Sequence, residues 1–270
     1  MSQANPLVSV VTVVRNGAPY IEETLRSVIS QTYPRIEYIV IDGGSTDGTV
    51  EIIKRYEDRI ARWVSEPDGG IYDAINKGIR IATGDLIGVV HGDDYYCPDA
   101  VDAVVQAARA RPETGIFYGY LDMVSALDGR VVFTKKTTAE EILPPKLDMI
   151  GHPTWFVRAD VHRRHGLYDP RFRIGADRDF ILRALLGGEK AHQLPRTIAY
   201  FRLGGVSGGT SLTSIAYHKR QLYGILRNNR IPIRYTARTM AAQIARGIFR
   251  FVAYEAGLLA RRARDRRRVT

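Results

Sequence analysis

The feature that most restricts the fold is a regular alternation of short apolar, β-branched runs with segments of helical periodicity. Strands are predicted over residues 7–14, 36–41, 60–65 and 86–90, and helices over residues 19–31, 49–56 and 74–81. Nearly continuous apolar strands separated by helices are typical of a parallel sheet covered on both faces. The predicted fold class is therefore α/β, and ligands of such sheets bind beyond the carboxyl ends of the strands.

Carboxylates collect at that predicted edge. Asp42, Asp68, Asp93 and Asp94 each follow or lie close to the end of a predicted strand. Acids at adjacent strand ends repel one another unless a cation or a hydrogen-bond donor meets them. An Asp-Gly turn is a sufficient explanation for any one of them, but their joint placement on one edge favours a ligand site.

The absence of two sequence motifs limits the kinds of nucleotide binding that this site could support. No Gly-x-Gly-x-x-Gly follows the first strand, and no Gly-x-x-x-x-Gly-Lys-Ser/Thr is found in the chain. Ordinary dinucleotide and P-loop binding are therefore disfavoured. Paired acids without an amide cradle are suited to hold a diphosphate through a divalent metal, and hard oxygen ligands prefer Mg²⁺ or Mn²⁺.

Several segments together resemble family 2 of the inverting, nucleotide-sugar-dependent glycosyltransferases. They are residues 8–17 (VSVVTVVRNG), 27–33 (SVISQTY), 39–49 (IVIDGGSTDGT), 76–78 (NKG) and 92–94 (GDD). Residues 66–78 (EPDGGIYDAINKG) are similar to the subgroup that builds bacterial exopolysaccharides, colanic acid included. The resemblance covers roughly residues 7–205. It implies the A-type glycosyltransferase fold, a Rossmann-like, mixed but mostly parallel sheet flanked by helices.

The resemblance implies a nucleotide site in the first half. Thr12, Val13 and Arg15 would border the nucleotide of a sugar donor, which is most often linked to uridine. Asp42 would accept a hydrogen bond from the base. Asp68 would lie against the base or the ribose.

The Gly92-Asp93-Asp94 segment stands where the family has its Asp-x-Asp metal motif. Asp93 aligns with the second acid and is the expected metal ligand, with Asp94 beside it; Gly92 would border the donor. His91 stands where the first acid of the motif is expected. His91 would contact ribose or metal, and this departure from the motif weakens the expectation of tight metal binding.

Two cations are candidates for contacts to the diphosphate. Ile75 replaces an arginine found in many relatives, and Lys77 could supply the missing charge, although a solvated helix lysine is an equally good interpretation. Arg202 is the second residue of a glycine-rich stretch, residues 201–211, and would meet the phosphates if this stretch is a loop that closes over them. A plain connector is an equally good interpretation.

The second half is expected to hold the acceptor site and the base. Asp177 matches the family's carboxylate at the start of a helix, which removes the proton from the acceptor hydroxyl. Asp179 is a further acceptor-site candidate, but both acids would also be favoured at a helix N-terminus by the helix dipole. His152 would line the acceptor pocket, with a structural role as the alternative.

The formal net charge of +10 belongs to the end of the chain. Residues 218–270 hold 14 Lys/Arg and two acids, whereas residues 1–217 hold 25 Lys/Arg and 27 acids. From Ile233 onward a helical projection separates apolar residues from arginines, which is typical of a helix on an anionic membrane surface. A helix packed on the catalytic domain is the alternative. Nucleic-acid binding is disfavoured because aromatic residues are sparse and no nucleic-acid motif occurs.

These observations predict a catalytic domain over residues 1–217 and a basic helical extension over residues 218–270. The nucleotide half would cover about 1–115 and the acceptor half about 116–217. With one cysteine, Cys97, no leader pattern and no membrane-spanning run, a cytoplasmic protein is expected, peripheral on the inner face of the bacterial membrane.

The predicted activity is transfer of one sugar per encounter to a glycan or a polyprenyl-linked acceptor, since the Gln-x-x-Arg-Trp signature of processive relatives is missing. A non-catalytic sugar-nucleotide-binding or scaffold protein of the same fold is the alternative.

Overall fold

A computed structural model describes residues 5–144, 146, 151–203 and 212–232. In this part of the chain the strands are β1 (Val8–Val14), β2 (Ile36–Asp42), β3 (Arg62–Ser65), β4 (Leu86–His91), β5 (Tyr95–Tyr96), β6 (Ile116–Ser125), β7 (Val131–Lys135), β8 (Phe156–Arg158) and β9 (Ala191–Leu203). The α-helices described there are α1 (Ile21–Ile29), α2 (Thr49–Lys54), α3 (Ile71–Ile81), α4 (Ala100–Ala110), α5 (Ala139–Ile142), α6 (Ala159–His165), α7 (Ala176–Leu186) and α8 (Leu212–Asn228). Short 3₁₀ helices lie at Glu57–Arg59 and His152–Thr154.

All the described strands form one sheet in the order β3-β2-β1-β4-β8-β6-β9-β5, with β7 paired to β6. The pairs β1–β2, β1–β4, β2–β3 and β6–β9 are parallel, whereas β8 is antiparallel to both β4 and β6. The predicted mixed, mostly parallel sheet flanked by helices is therefore confirmed.

The apolar strand pattern is explained by a sheet that is buried on both faces. Alternate side chains of a strand point to opposite faces, and β1 divides accordingly, with Val10 in one core cluster and Val11 in the other. Leu25 of α1 packs in the first cluster and Ile75 of α3 in the second. A strand covered on both sides has no position for a polar stripe, hence the continuous apolar run.

Helix α3 begins at Ile71, three residues before the predicted start. Gly70, with φ of 123°, ends the preceding turn, and Ile71 is 43% exposed. The apolar spacing of Ile71, Ile75 and Ile79 extends back to this first residue, so the predicted start is too late by one turn.

Helix α8 runs across residue 217, the predicted boundary between the catalytic domain and the basic extension. Its residues Leu222, Ile225 and Leu226 are buried in the same cluster as α3 and α7, while the domain division itself stays a prediction. Residues 204–211 and 233–270, which hold most of the glycine-rich stretch and the predicted membrane helix, lie outside the described residues. Among the described helices, none has both the length and the apolar character to cross a bilayer.

Candidate active site

The carboxyl end of β1 brings two loops together. In the parallel register Val14 pairs with Asp42 of β2, and Val13 pairs with His91 of β4. The amide of Gly43 donates to the Val14 carbonyl at 2.8 Å, and that of Gly92 donates to the Val13 carbonyl at 2.9 Å. The loops after β2 and β4 are thus fixed side by side at the predicted ligand edge.

The loop after β4 holds a compact group of possible metal ligands. One ligand atom each from His91, Asp93 and Asp94 lies within 4.8 Å of the others. Asp94 is fully buried; its Oδ1 accepts the Arg202 amide at 3.1 Å, while its Oδ2 has no hydrogen-bond partner among the described residues. Burial and, to a lesser extent, the charge of Asp93 raise the pKa of Asp94 well above its usual range. A cation at this point would compensate both effects.

A second histidine, His152, contacts the ring of His91. His152 Nδ1 lies 3.3 Å from His91 Nε2, and His152 Nε2 lies 3.0 Å from the hydroxyl of Tyr168. Burial and the nearby His91 lower the pKa of His152 to about 3, so its ring is neutral near pH 7. His152 is 7% exposed; in this structure it contacts His91 and Tyr168.

Asp177, the predicted base, is the second residue of α7 and faces the same group. The Tyr72 hydroxyl donates to Asp177 Oδ1 at 3.0 Å and accepts the Gly175 amide at 3.1 Å. The negative charge of Asp177 acts on His91 and His152, in each case opposing the effect of burial on the histidine pKa. The base candidate and the metal-ligand candidates therefore share one site, and Tyr72 orients the carboxylate.

Asp179 has a different environment, although it is only two residues further along α7. It is fully buried; Oδ2 accepts Arg183 Nε at 2.8 Å, and Oδ1 accepts the side-chain amides of Asn228 and Asn229, each at 2.9 Å. With both oxygens engaged inside the protein, Asp179 stabilises the fold. We therefore leave it out of the acceptor site.

At the predicted nucleotide site, the first strand offers main chain only. The side chains of Thr12 and Val13 are buried, and Thr12 Oγ1 lies 3.0 Å from the Tyr38 hydroxyl. Arg15, by contrast, is exposed just beyond the strand.

Asp42 is fully buried and shapes the loop that follows it. Its Oδ2 accepts the amides of Gly44 and Ser45 at 3.1 and 3.0 Å and the Ser65 hydroxyl at 2.6 Å; the Ser45 hydroxyl donates to Oδ1. These partners occupy the carboxylate that was expected to meet the base. The described geometry thus gives Asp42 a supporting role at this edge.

The carboxylate of Asp68 lies over Gly43. A Cβ built at Gly43 would be 2.4 Å from Asp68 Oδ2 and 3.4 Å from Arg15 Cβ. Asp68 Oδ1 accepts the Gly70 amide at 2.8 Å. Glycine at position 43 therefore leaves the space in which Asp68 approaches the end of β1.

The two candidate phosphate contacts differ. Lys77 Nζ lies 2.7 Å from a Glu66 carboxylate oxygen and 3.2 Å from the Pro67 carbonyl, so it is held by the loop before α3. Arg202 meets the metal-ligand group directly: Nε donates to the Asp93 carbonyl at 3.2 Å, and the guanidinium lies 4.4 Å from the Tyr20 ring centroid.

The sequence pattern indicates no site role for Tyr72, Asn76 or Tyr168. Asn76 is buried and makes two hydrogen bonds to the Tyr168 main chain, and the rings of Tyr72 and Tyr168 stack with centroids 5.8 Å apart. Tyr72 and Asn76 lie inside a segment that carried the family resemblance. Their partners, however, are about 100 residues away, and only the fold brings them together.

Comparison with known proteins agrees with this architecture. The family model for Glycosyl transferase family 2 matches residues 9–166. The uncharacterized glycosyltransferase MT1564 of Mycobacterium tuberculosis is 38% identical over 189 residues, covering 67% of this chain and 70% of the relative. The glycosyltransferase TuaG of Bacillus subtilis, provisionally assigned to teichuronic acid biosynthesis, is 31% identical over 209 residues, covering 75% and 81%.

Solved structures with the same fold include S. aureus TarS 1-349 in complex with UDP-GlcNAc, at a TM-score of 0.65 and 19% identity over 87% of this chain and 71% of TarS. The chain spans 65% of the corresponding UDP complex. The mannosyltransferase PcManGT of Pyrobaculum calidifontis, in complex with GDP-Man and Mn²⁺, aligns at a TM-score of 0.61 and 19% identity over 96% of this chain and 81% of PcManGT. With the sheet topology and the family match together, the chain belongs to glycosyl transferase family 2 and is a glycosyltransferase of the A-type fold.

Proposed function

We propose that this protein transfers a single sugar, with inversion, from a nucleotide-diphosphate donor to a hydroxyl of a glycan or lipid-linked oligosaccharide in surface-polysaccharide biosynthesis. The observation that carries the proposal is the convergence of Asp177 with His91, Asp93 and Asp94 at one sheet edge. A uridine-linked donor is favoured by the TarS complexes with UDP and UDP-GlcNAc, and polysaccharide synthesis by the assignment of TuaG.

The metal-ligand group fits a divalent cation. Asp94 Oδ2 is a buried carboxylate oxygen without a hydrogen-bond partner among the described residues, and it lies 3.6 Å from His91 Nδ1. Carboxylate oxygens with one imidazole suit Mn²⁺, and Mg²⁺ is also compatible with the carboxylates. Asp93 and Asp94 would hold the metal, with His91 as a further ligand. Bound there, the metal would neutralise charge on the departing diphosphate.

Asp177 would act as the base. Direct displacement forms a bond between the acceptor oxygen and the anomeric carbon while the bond from that carbon to the diphosphate breaks, which inverts the configuration. The acceptor proton passes to the Asp177 carboxylate. Tyr72, donating to Oδ1, holds that carboxylate toward the site and leaves Oδ2 for the acceptor.

The nucleotide would bind along the ends of β1 and β2. Half-buried Asp68 and exposed Arg15 flank Gly43 and offer polar groups there, while the main chain at Thr12, Val13 and Gly92 would border the donor. Asp42 would keep the loop in place. Both cations have an acidic partner, Lys77 with Glu66 and Arg202 with Glu23. Arg202 is the better placed of the two for the diphosphate because it also contacts the Asp93 carbonyl.

The decisive experiment is a screen of the purified chain against nucleotide sugars, with the release of nucleoside diphosphate as the readout. With the active donor, Asp177→Asn should lower turnover by about 10²- to 10⁴-fold, the usual contribution of a general base, while nucleotide binding is retained. Asp93→Ala should abolish the metal dependence of turnover. Asp58→Asn, which changes an exposed acid, is the matched control. Near wild-type transfer by both site variants would exclude the assignment.

His91 in the metal motif is the one observation that favours a non-catalytic sugar-nucleotide-binding protein instead. Such a protein would bind a nucleotide sugar, but no donor in the panel would be turned over at any metal concentration. Metal-dependent turnover of any donor decides against this alternative.

For the end of the chain we propose peripheral binding to an anionic membrane through residues 231–270, on the inner face of the bacterial membrane. The support is the sequence alone, where arginines and an apolar stripe share one predicted helix. Flotation of the full chain and of a chain ending at residue 230 with phosphatidylglycerol vesicles tests this. Equal binding of the two would contradict it.

A further inference from the structure

The hairpin formed by β6 and β7 exposes a cluster of apolar side chains to solvent. Leu127, at its tip, is 89% exposed, and Val131, Val132 and Phe133 of β7 are 51%, 57% and 47% exposed. We call these four side chains the hairpin surface. Clustered exposed apolar residues of this kind mark an interaction site more often than scattered single ones do.

The second strand of the hairpin, β7, is exposed on both of its faces over residues 131–133. Successive side chains of a strand point to opposite faces, so the exposure of three consecutive residues, Val131, Val132 and Phe133, means that neither face of β7 is covered there. Among the described residues, β7 pairs only with β6. β7 is therefore an edge strand, and the tip of the hairpin is accessible to a membrane.

Positive charges border the hairpin surface. Arg130 is 86% exposed beside the tip, where its Nε lies 3.6 Å from Oδ2 of Asp128, the one acid between Ala126 and Lys136. Lys135 and Lys136 follow the apolar residues, so this segment carries three cations and one acid. Lys136 Nζ lies 4.8 Å from the Tyr120 ring centroid. Apolar side chains flanked by cations are complementary to an anionic lipid surface. The apolar side chains enter the boundary of the acyl chains, and the cations contact the headgroups.

The tip end of the hairpin adjoins the proposed active site, since Val124 pairs with Val131 next to the turn. Val124 of β6 lies opposite Arg202 of β9 in the parallel register. The Arg202 amide donates to Asp94 Oδ1, and its guanidinium donates to the Asp93 carbonyl. A surface bound by the hairpin would therefore lie next to the edge of the sheet that carries the metal-ligand group.

We propose that the β6–β7 hairpin inserts its tip into the interfacial region of an anionic membrane and thereby holds the active-site edge near acceptors carried by lipid. The statement about acceptors rests on the proposed function, whereas insertion does not. The occupant is a membrane in preference to a second copy of the chain, because a symmetric pair of hairpins would bring two sets of like charges together.

The test places a tryptophan in the hairpin surface of the full chain. Leu127→Trp and Phe133→Trp are mixed with vesicles of phosphatidylglycerol whose acyl chains are brominated, and tryptophan quenching is measured against the wild-type background of Trp63 and Trp155. Leu186→Trp on α7, at a side chain 50% exposed, is the matched control. We expect quenching at positions 127 and 133, weaker quenching with zwitterionic lipid, and none at position 186.

A loss-of-binding variant gives an independent check. Val132→Asp should reduce the partition coefficient on anionic vesicles by about tenfold or more, since it replaces an inserted apolar group by a charge repelled by the lipid; Leu186→Asp should leave it unchanged. Circular dichroism verifies that the variants fold.

The results separate this inference from the others. Vesicle binding of the chain without quenching at positions 127 and 133 would assign the membrane contact to another segment and overturn the proposal. So would absence of vesicle binding, or a change of oligomeric mass in Val132→Asp with unchanged partition. None of these readouts depends on transferase activity. The vesicle experiments therefore test insertion of the hairpin even if the donor screen finds no active nucleotide sugar.

Discussion

At the scale of single residues, chemically identical side chains acquire different roles from their contacts. Asp177 and Asp179 are two residues apart on α7, yet one receives a tyrosine hydroxyl in the site and the other is enclosed by Arg183 and two asparagines. The helix dipole acts on both. What distinguishes them is which face of the helix each occupies.

Tyr72 is expected to position the base without touching substrate. Tyr72→Phe keeps the ring stacked on Tyr168 but removes the hydroxyl between Gly175 and Asp177. We expect kcat to fall by about tenfold, the effect of losing one oriented hydrogen bond of about 1.4 kcal/mol, with the donor KM unchanged. Steady-state kinetics measure this, and an altered donor KM with unchanged kcat would contradict the positioning role.

His162 should make stability depend on pH. Burial, aided by the charge of Arg183, lowers the pKa of this histidine from 6.5 to about 4, and its ring stacks on Phe180 at 4.7 Å. The folded state excludes a proton that the unfolded chain binds below pH 6.5. The stabilisation is therefore complete above that pH and is lost on acidification, by about 1.4 kcal/mol per pH unit down to about pH 4.

Urea unfolding of wild type and His162→Phe between pH 7 and pH 4.5 checks this sign. Phenylalanine does not titrate, so the variant should lose less stability over this range, and the difference should grow as the pH falls. A constant difference between the two proteins would show that His162 does not contribute to the pH dependence.

At the scale of elements, α3 connects the sheet to the catalytic half. Its residues Tyr72 and Asn76 reach Asp177 and Tyr168, while Gly78 lies against Val11 of β1. The close approach depends on glycine, because a Cβ at position 78 would lie 2.3 Å from Val11 Cγ1.

Gly78→Ala should therefore destabilise the protein, although alanine is the better helix former. Overpacking lowers the free energy of unfolding by about 1–3 kcal/mol. The better helix propensity of alanine returns about 1 kcal/mol, so the net effect is destabilising over nearly all of that range. Arg80→Ala, at an exposed position of the same helix, is the control for propensity. Denaturant unfolding measures both, and a Gly78→Ala protein as stable as Arg80→Ala would contradict the packing.

At the scale of the whole molecule, Asp179 joins segments that are distant in sequence. It binds Arg183, which also donates to the main-chain carbonyls of His165 and Leu167 ahead of α7. It also accepts hydrogen bonds from Asn228 and Asn229 at the end of α8. The acceptor half and α8 are held together through this buried carboxylate.

Asp179→Asn is expected to lower the free energy of unfolding by about 3 kcal/mol, because it leaves Arg183 without its buried counter-ion. Asp177→Asn should cost less stability and more activity. Thermal unfolding and turnover of the two variants, compared side by side, form a matched pair. Equal losses of stability would contradict the division of roles on α7.

The sequence was sufficient for the strands of the first half and for the edge that carries the site. Apolar runs bounded by helices predict a parallel sheet through local patterns, and the acids that follow them are at its carboxyl edge by topology. It was also sufficient to propose Asp177 and the Asp93–Asp94 pair, through their motifs. The predicted start of α3 was three residues late, because helix boundaries are less sharply encoded in local sequence than the helices themselves.

Local pattern therefore determined the fold class, the ligand edge and the acids available there. Tertiary structure alone decided which acids face the site: Asp42 and Asp179 are enclosed by protein donors, Asp68 lies over Gly43, and Asp177 is oriented by Tyr72. The physical reason is that the chemistry of a carboxylate depends on its burial and its hydrogen-bond partners. Here the decisive partners come from segments up to 105 residues away, a distance that no local pattern encodes.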